Sequence, residues 1–79
     1  MKHADTTQTR GKSLAYSLTR LMRERGLDDV LLAAEFRRQG ASVTPMAIRY
    51  WREGRHEPRV QHCQTLAKIF KVSISELLS

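Results

Sequence analysis

The sequence predicts an all-α domain of five short helices, and three observations predict it. Apolar residues recur three and four positions apart along successive stretches, which gathers them on one face of a helix. Those stretches are bracketed by residues that start and stop helices: Ser13, Asp28 or Asp29, Thr44 and Ser73 before them, and Gly26, Gly40 and Gly54 after them. No alternating run of strand length, internal repeat or low-complexity segment competes.

Residues 1–12 are polar, lack periodic apolar residues and read as a flexible basic tail, which leaves 13–79 as the domain. Some DNA-binding domains lay such an arm along the backbone or minor groove. Ser13 caps a first helix running to about Arg25, with Leu14, Leu18, Leu21 and Met22 on its inner face. Its late arginines suit the negative end of the helix dipole, and Leu27 follows the Gly26 stop as a core plug. Asp28 or Asp29 caps a second helix, whose inner face is Leu32, Ala33 and Phe36 and which Arg37, Arg38 and Gln39 finish.

A third helix starts at Thr44, whose hydroxyl accepts an orphan amide bond, with Val43 before it as an apolar staple. Pro45 fits the first turn, where its missing N–H costs nothing, and Gly54 ends the helix. Ala47, Ile48 and Trp51 pin this short helix to the core, leaving Met46, Arg49, Tyr50 and Arg52 pointing outward. After the loop at residues 55–58, a fourth helix places Val60, Cys63, Leu66, Ala67 and Phe70 at helical spacing. Ser73 and Glu76 form a capping box for a one-turn fifth helix, and Ile74, Leu77 and Leu78 read as an exposed apolar end.

Fourteen Lys and Arg against eight Asp and Glu give a net charge of +6, which favours a polyanionic partner, nucleic acid first. A chain this short buries only roughly 60% of its unfolded surface, so help from a second subunit is expected. No apolar run approaches the roughly 18 residues of a membrane span. No secretory segment is visible and the single Cys63 permits no internal disulfide, both of which fit the cytoplasm. Cys63 on an inner helical face is a small hydrophobe. His56, His62 and Cys63 lack paired metal-ligand spacing, and no nucleophile–base constellation is visible, so no metal, cofactor or enzymatic activity is expected.

Residues 13 to 79 resemble the Cro and lambda-repressor-like (XRE-type) helix-turn-helix family. Its second-helix Leu-Ala-x-x-Leu pattern is matched by Leu32-Ala33-Ala34-Glu35-Phe36. Its recognition-helix pattern Val-Ser-x-x-Thr-Ile-Ser-x-Trp-Glu-x-Gly is matched by the run from Val43 to Gly54, with Ile48, Trp51 and Gly54 in register. Pro58 corresponds to the family's loop proline, and the run from Leu66 to Leu78 to its closing pattern. Three departures stand out. Between Phe36 and Val43 lie about five more residues than in the usual turn, which implies a longer second helix or a looser connection. The acid that usually follows the tryptophan is Arg52, and its first-helix arginine partner is Met22, so Arg52 is expected to be free for phosphate. The glutamine that usually opens the second helix is Asp29, which repels phosphate.

The resemblance implies a regulator, a repressor by expectation, that binds a palindromic operator in double-stranded DNA as a homodimer. It implies base contacts from Pro45, Met46, Arg49 and Tyr50 in the major groove. An arginine such as Arg49 bonds guanine O6 and N7 with two donors, worth roughly 1–3 kcal/mol of discrimination. Thr44 and the amides behind it suit a phosphate. Arg52, Arg55, His56 and Arg59 would clamp backbone on the far side, and Arg37 and Arg38 on the near side. A second reading is an antitoxin-type module that neutralises a toxin partner. A third rests on the segment from Val43 to Arg59, which also looks like part of a MerR-type winged helix, whose wing requires strands.

Overall fold

The computed structural model describes the backbone of residues 2–78 and the side chains of residues 14–78. It contains α1 (Lys2–Arg25), α2 (Asp29–Arg38), α3 (Pro45–Arg52), α4 (Val60–Phe70) and α5 (Ile74–Leu78). No strand occurs among the described residues, and a MerR-type wing would fall on α4 and α5, which are helices. No helix among the described residues is long and apolar enough to cross a membrane. Residues 2–12, expected from the sequence to be a flexible tail, continue α1 in their backbone, so Ser13 lies inside that helix and does not start it; their side chains lie outside the described residues.

One core joins all five helices: Leu14, Leu18, Leu21 and Met22 from α1, Leu32, Ala33 and Phe36 from α2, Ile48 and Trp51 from α3, Leu66 and Phe70 from α4, and Leu77 from α5. α3 packs against both α1 and α2, and α5 against α1 and α4. Trp51 is a core residue, its ring centroid 5.9 Å from that of Phe36 and 5.4 Å from that of His62. Two expectations about apolar residues need correction. Val60 shares the helical spacing of Leu66 and Phe70 but is 71% exposed, because the α4 stripe extends past the core. Leu77 is not part of an exposed end: it is fully buried, and only Ile74 and Leu78 of that group reach the surface.

The caps follow local chemistry. Asp28, not Asp29, caps α2, its Oδ1 accepting from the Leu31 amide at 2.8 Å. Thr44 Oγ1 accepts from the Ala47 amide at 3.1 Å at the start of α3. Ser73 and Glu76 form the reciprocal box, with Glu76 N–H donating to Ser73 Oγ at 3.0 Å. α2 runs two residues past Phe36 to Arg38, and residues 39–44 form the lengthened connection to α3. At its start Ala41 N–H donates to Phe36 O and Gly40 N–H to Arg37 O, both at 2.9 Å, the paired bonds of a Schellman closure.

α4 closes with the same pair of bonds, from Val72 to Ala67 and from Lys71 to Lys68, but the left-handed position is held by Lys71 at φ +58°. A side chain in that conformation is strained by its Cβ, and glycine relieves it while giving back some unfolded-state entropy. Lys71→Gly is therefore expected to stabilise the fold by about 0.5–1 kcal/mol. In thermal denaturation this reads as a midpoint raised by about 2–8 °C, and an unchanged or lowered midpoint would refute the strain. The Arg25 guanidinium adds a tie that no local rule foretells, Nη2 donating to Phe70 O at 2.7 Å beside the Phe70 ring. It satisfies a carbonyl that the last turn of α4 leaves without a helical partner.

Candidate nucleic-acid interface

α3 is fixed from beneath by Ile48 and Trp51, which are both buried, and half-buried Ala47 packs beside them. With that stripe inward, Met46 and Arg49 are exposed and Tyr50 is half-buried at the edge. Thr44 and Pro45 are exposed at the helix start. Thr44 spends its acceptor on the Ala47 amide and Pro45 has no N–H, so the Met46 amide is the first-turn donor left open among the described residues. Any anion at this helix start has one backbone donor, not several, to bind.

The arginines are arranged differently from the sequence expectation. Arg52 is not free. Its Nε and Nη2 donate to Asp29 Oδ1 and Oδ2 at 2.8 and 2.9 Å, a two-pronged pair across α2 and α3. Both side chains are partly buried, 30% and 22% exposed. The hydrogen bond to Asp29 is the main cause that raises the Arg52 pKa above its already high ordinary value, partial burial opposing it. Asp29, expected as a carboxylate facing phosphate, is thus neutralised by the residue expected to bind phosphate. The acid after the tryptophan and its first-helix arginine are absent, but an ion pair of opposite polarity holds α3 from another helix.

Arg49, Arg38 and Arg55 also face carboxylates, at the surface. Arg49 Nε donates to Glu53 Oε2 at 3.2 Å, and Arg55 Nε lies 3.1 Å from Glu53 Oε1. Arg38 Nη1 donates to Glu35 Oε2 at 3.2 Å. Such exposed pairs are worth at most about 1 kcal/mol, so an incoming anion displaces them readily, whereas the Arg52 pair would resist. Arg37 and Arg59 are exposed and make no ion pair among the described residues.

Behind α3 the chain folds back, Arg55 N–H donating to Tyr50 O at 2.9 Å. This sets the Arg55 guanidinium 5.7 Å over the Tyr50 ring, and His56 meets the same ring edge-on at 5.1 Å. Tyr50, His56, Glu57 and Arg59 line one shallow cleft. The structure therefore gathers Thr44, Pro45, Met46, Arg49, Tyr50, Arg55 and Arg59 on α3 and the segment after it, withdraws Arg52, and leaves Arg37 and Arg38 at the end of α2. Glu53, which organises two of these arginines, was missed in the sequence although its i,i+4 spacing from Arg49 was visible. No group of three or more His, Cys, Asp or Glu side chains is placed to hold a metal among the described residues. Comparison with family models, with curated proteins and with solved structures finds no match to this chain.

Proposed function

We propose that this protein is a sequence-specific DNA-binding transcriptional regulator with a lambda-repressor-like helix-turn-helix, a repressor that binds a palindromic operator as a homodimer. α2 and α3 form the helix pair and α3 is the recognition helix. The observation that carries this is the division of α3. Ile48 and Trp51 anchor one side, while Met46, Arg49 and Tyr50 project from the other beside exposed Arg55 and Arg59. A helix so short is not stable alone, so its outward residues are carried by a fixed scaffold. A net charge of +6 supplies the attraction for a polyanion. Pro45, Met46, Arg49 and Tyr50 read base edges, and Arg55, Arg59, Arg37 and Arg38 hold phosphates. Arg52 is withdrawn from that set because its donors are committed to Asp29.

Two copies related by a two-fold axis would place their recognition helices roughly 34 Å apart, one turn of DNA, and predict a symmetric site. Selection of bound duplexes from random DNA tests this directly. The expected result is a palindrome with half-sites about one turn apart; enrichment of no sequence would end the proposal. In a mobility shift on the selected site, Arg49→Ala is expected to weaken binding about tenfold or more.

A protein-binding module of the antitoxin kind is the second reading. It is favoured by the apolar cleft where exposed Val60 meets Ile74, Leu78 and Pro58. A stoichiometric toxin-like partner that co-purifies with the chain and masks Val60 would support it.

A further inference from the structure

We propose that Glu53 is a positioning residue that determines which base Arg49 reads, an inference that rests on the DNA-binding function proposed above. Two features make an acid at this position unfavourable for helix stability, and a third makes it unfavourable for DNA binding. Glu53 is the C-cap of α3, at the negative end of the helix dipole. It lies four residues after its arginine, the less favourable order for such a pair. On the proposed function it also stands beside DNA phosphates, which repel it. Its contacts, by contrast, are specific: Oε2 takes Arg49 Nε at 3.2 Å and Oε1 lies 3.1 Å from Arg55 Nε.

The atom that Glu53 engages on Arg49 matters. A guanidinium can meet guanine O6 and N7 along its side, using Nε, or end-on, using the two terminal nitrogens. With Nε occupied by Glu53, the end-on pair Nη1 and Nη2 is left for the base. The Arg49 side chain is 58% exposed and has no other ion-pair partner among the described residues, so Glu53 is what limits its wandering. The second Glu53 oxygen holds Arg55 on the other flank, over the Tyr50 ring. One carboxylate thus holds two arginines by its two oxygens, Arg49 forward for a base and Arg55 back over Tyr50 for a phosphate.

The test is selection of binding sites from random DNA for the wild type, Arg49→Ala, Glu53→Ala, Glu53→Lys and Glu53→Gln, with thermal denaturation of each protein. Both Glu53→Ala and Glu53→Lys remove an acid from a helix C-terminus but also two exposed ion pairs, opposing effects of similar small size, so they are expected to melt within a few degrees of wild type. Each should lose about tenfold in preference at one base pair of the half-site, the same pair that Arg49→Ala loses, and keep its preferences elsewhere. Glu53→Gln keeps an oxygen in reach of Arg49 Nε and should retain most of the preference. Undiminished preference in both Glu53→Ala and Glu53→Lys overturns the role of Glu53, as does a loss spread evenly over all positions. A wild type that selects no sequence overturns the DNA-binding function itself, and the role of Glu53 with it.

Discussion

Phe36→Ala is expected to lower the unfolding free energy by about 3–5 kcal/mol, the usual cost of emptying a buried aromatic site. Phe36 is fully buried, and its ring meets Trp51 at 5.9 Å and His62 at 6.0 Å between centroids. It therefore joins α2, α3 and α4 at one point. A domain of this size has a total stability of about 4–12 kcal/mol, so this single change would remove about a quarter of it or more. Urea denaturation followed by circular dichroism measures it. Val60→Ala, removing an apolar side chain that is 71% exposed, serves as the control and should move stability by less than about 0.5 kcal/mol. Equal effects from the two substitutions would show that the core is not centred where the packing places it.

The second large effect concerns Arg52. Arg52→Ala is expected to cost about 1–3 kcal/mol, between the small worth of exposed pairs and the larger penalty of breaking fully buried ones. The loss has two sources: the two-pronged bond is gone, and a partly buried Asp29 carboxylate is left without its cation. Asp29→Ala in the same background should then be partly restorative. The double variant is expected to be more stable than the two separate losses would add up to, by about 1 kcal/mol or more. Simple additivity in that cycle would reduce the pair to an ordinary surface contact. The contribution should be insensitive to pH through the neutral range. Arg52 has its pKa raised on folding, so its share of stability is complete below the unfolded value and is lost only in strong alkali.

These two residues also mark how far the sequence could be read. Features set within one turn were legible: the caps at Thr44, Ser73 and Glu76, the glycine stops, and the inward stripe of Ile48 and Trp51. Each depends on neighbours at most four residues away, so spacing alone determines it. The Arg52–Asp29 pair spans 23 positions, and the Arg25 bond to the Phe70 carbonyl spans 45. Such contacts depend on how helices dock, which periodicity does not specify. The chain carries opposite charges at positions 29 and 52, but nothing local says that they meet. Val60 failed for a related reason, since helical spacing identifies a stripe and not where the opposing core ends. The Arg49–Glu53 pair is the exception: its i,i+4 spacing is local and can be read from the sequence.

The carboxylates beside Arg38, Arg49 and Arg55 have a thermodynamic consequence of their own. A basic surface in water gathers mobile anions, and a nucleic acid gathers mobile cations; much of the gain on association comes from setting such ions loose. Here part of the anion cloud is built into the protein and cannot leave. On the DNA-binding function proposed above, a phosphate that meets one of these arginines either shares it with a tethered carboxylate or displaces that carboxylate, and in both cases fewer mobile anions are released. On that proposed function, the electrostatic pull toward DNA of any sequence would be weaker than the number of arginines on this face implies. Indiscriminate attachment would then be held down by the same acids that keep those arginines in place, leaving more of the proposed affinity to be supplied by the correct bases.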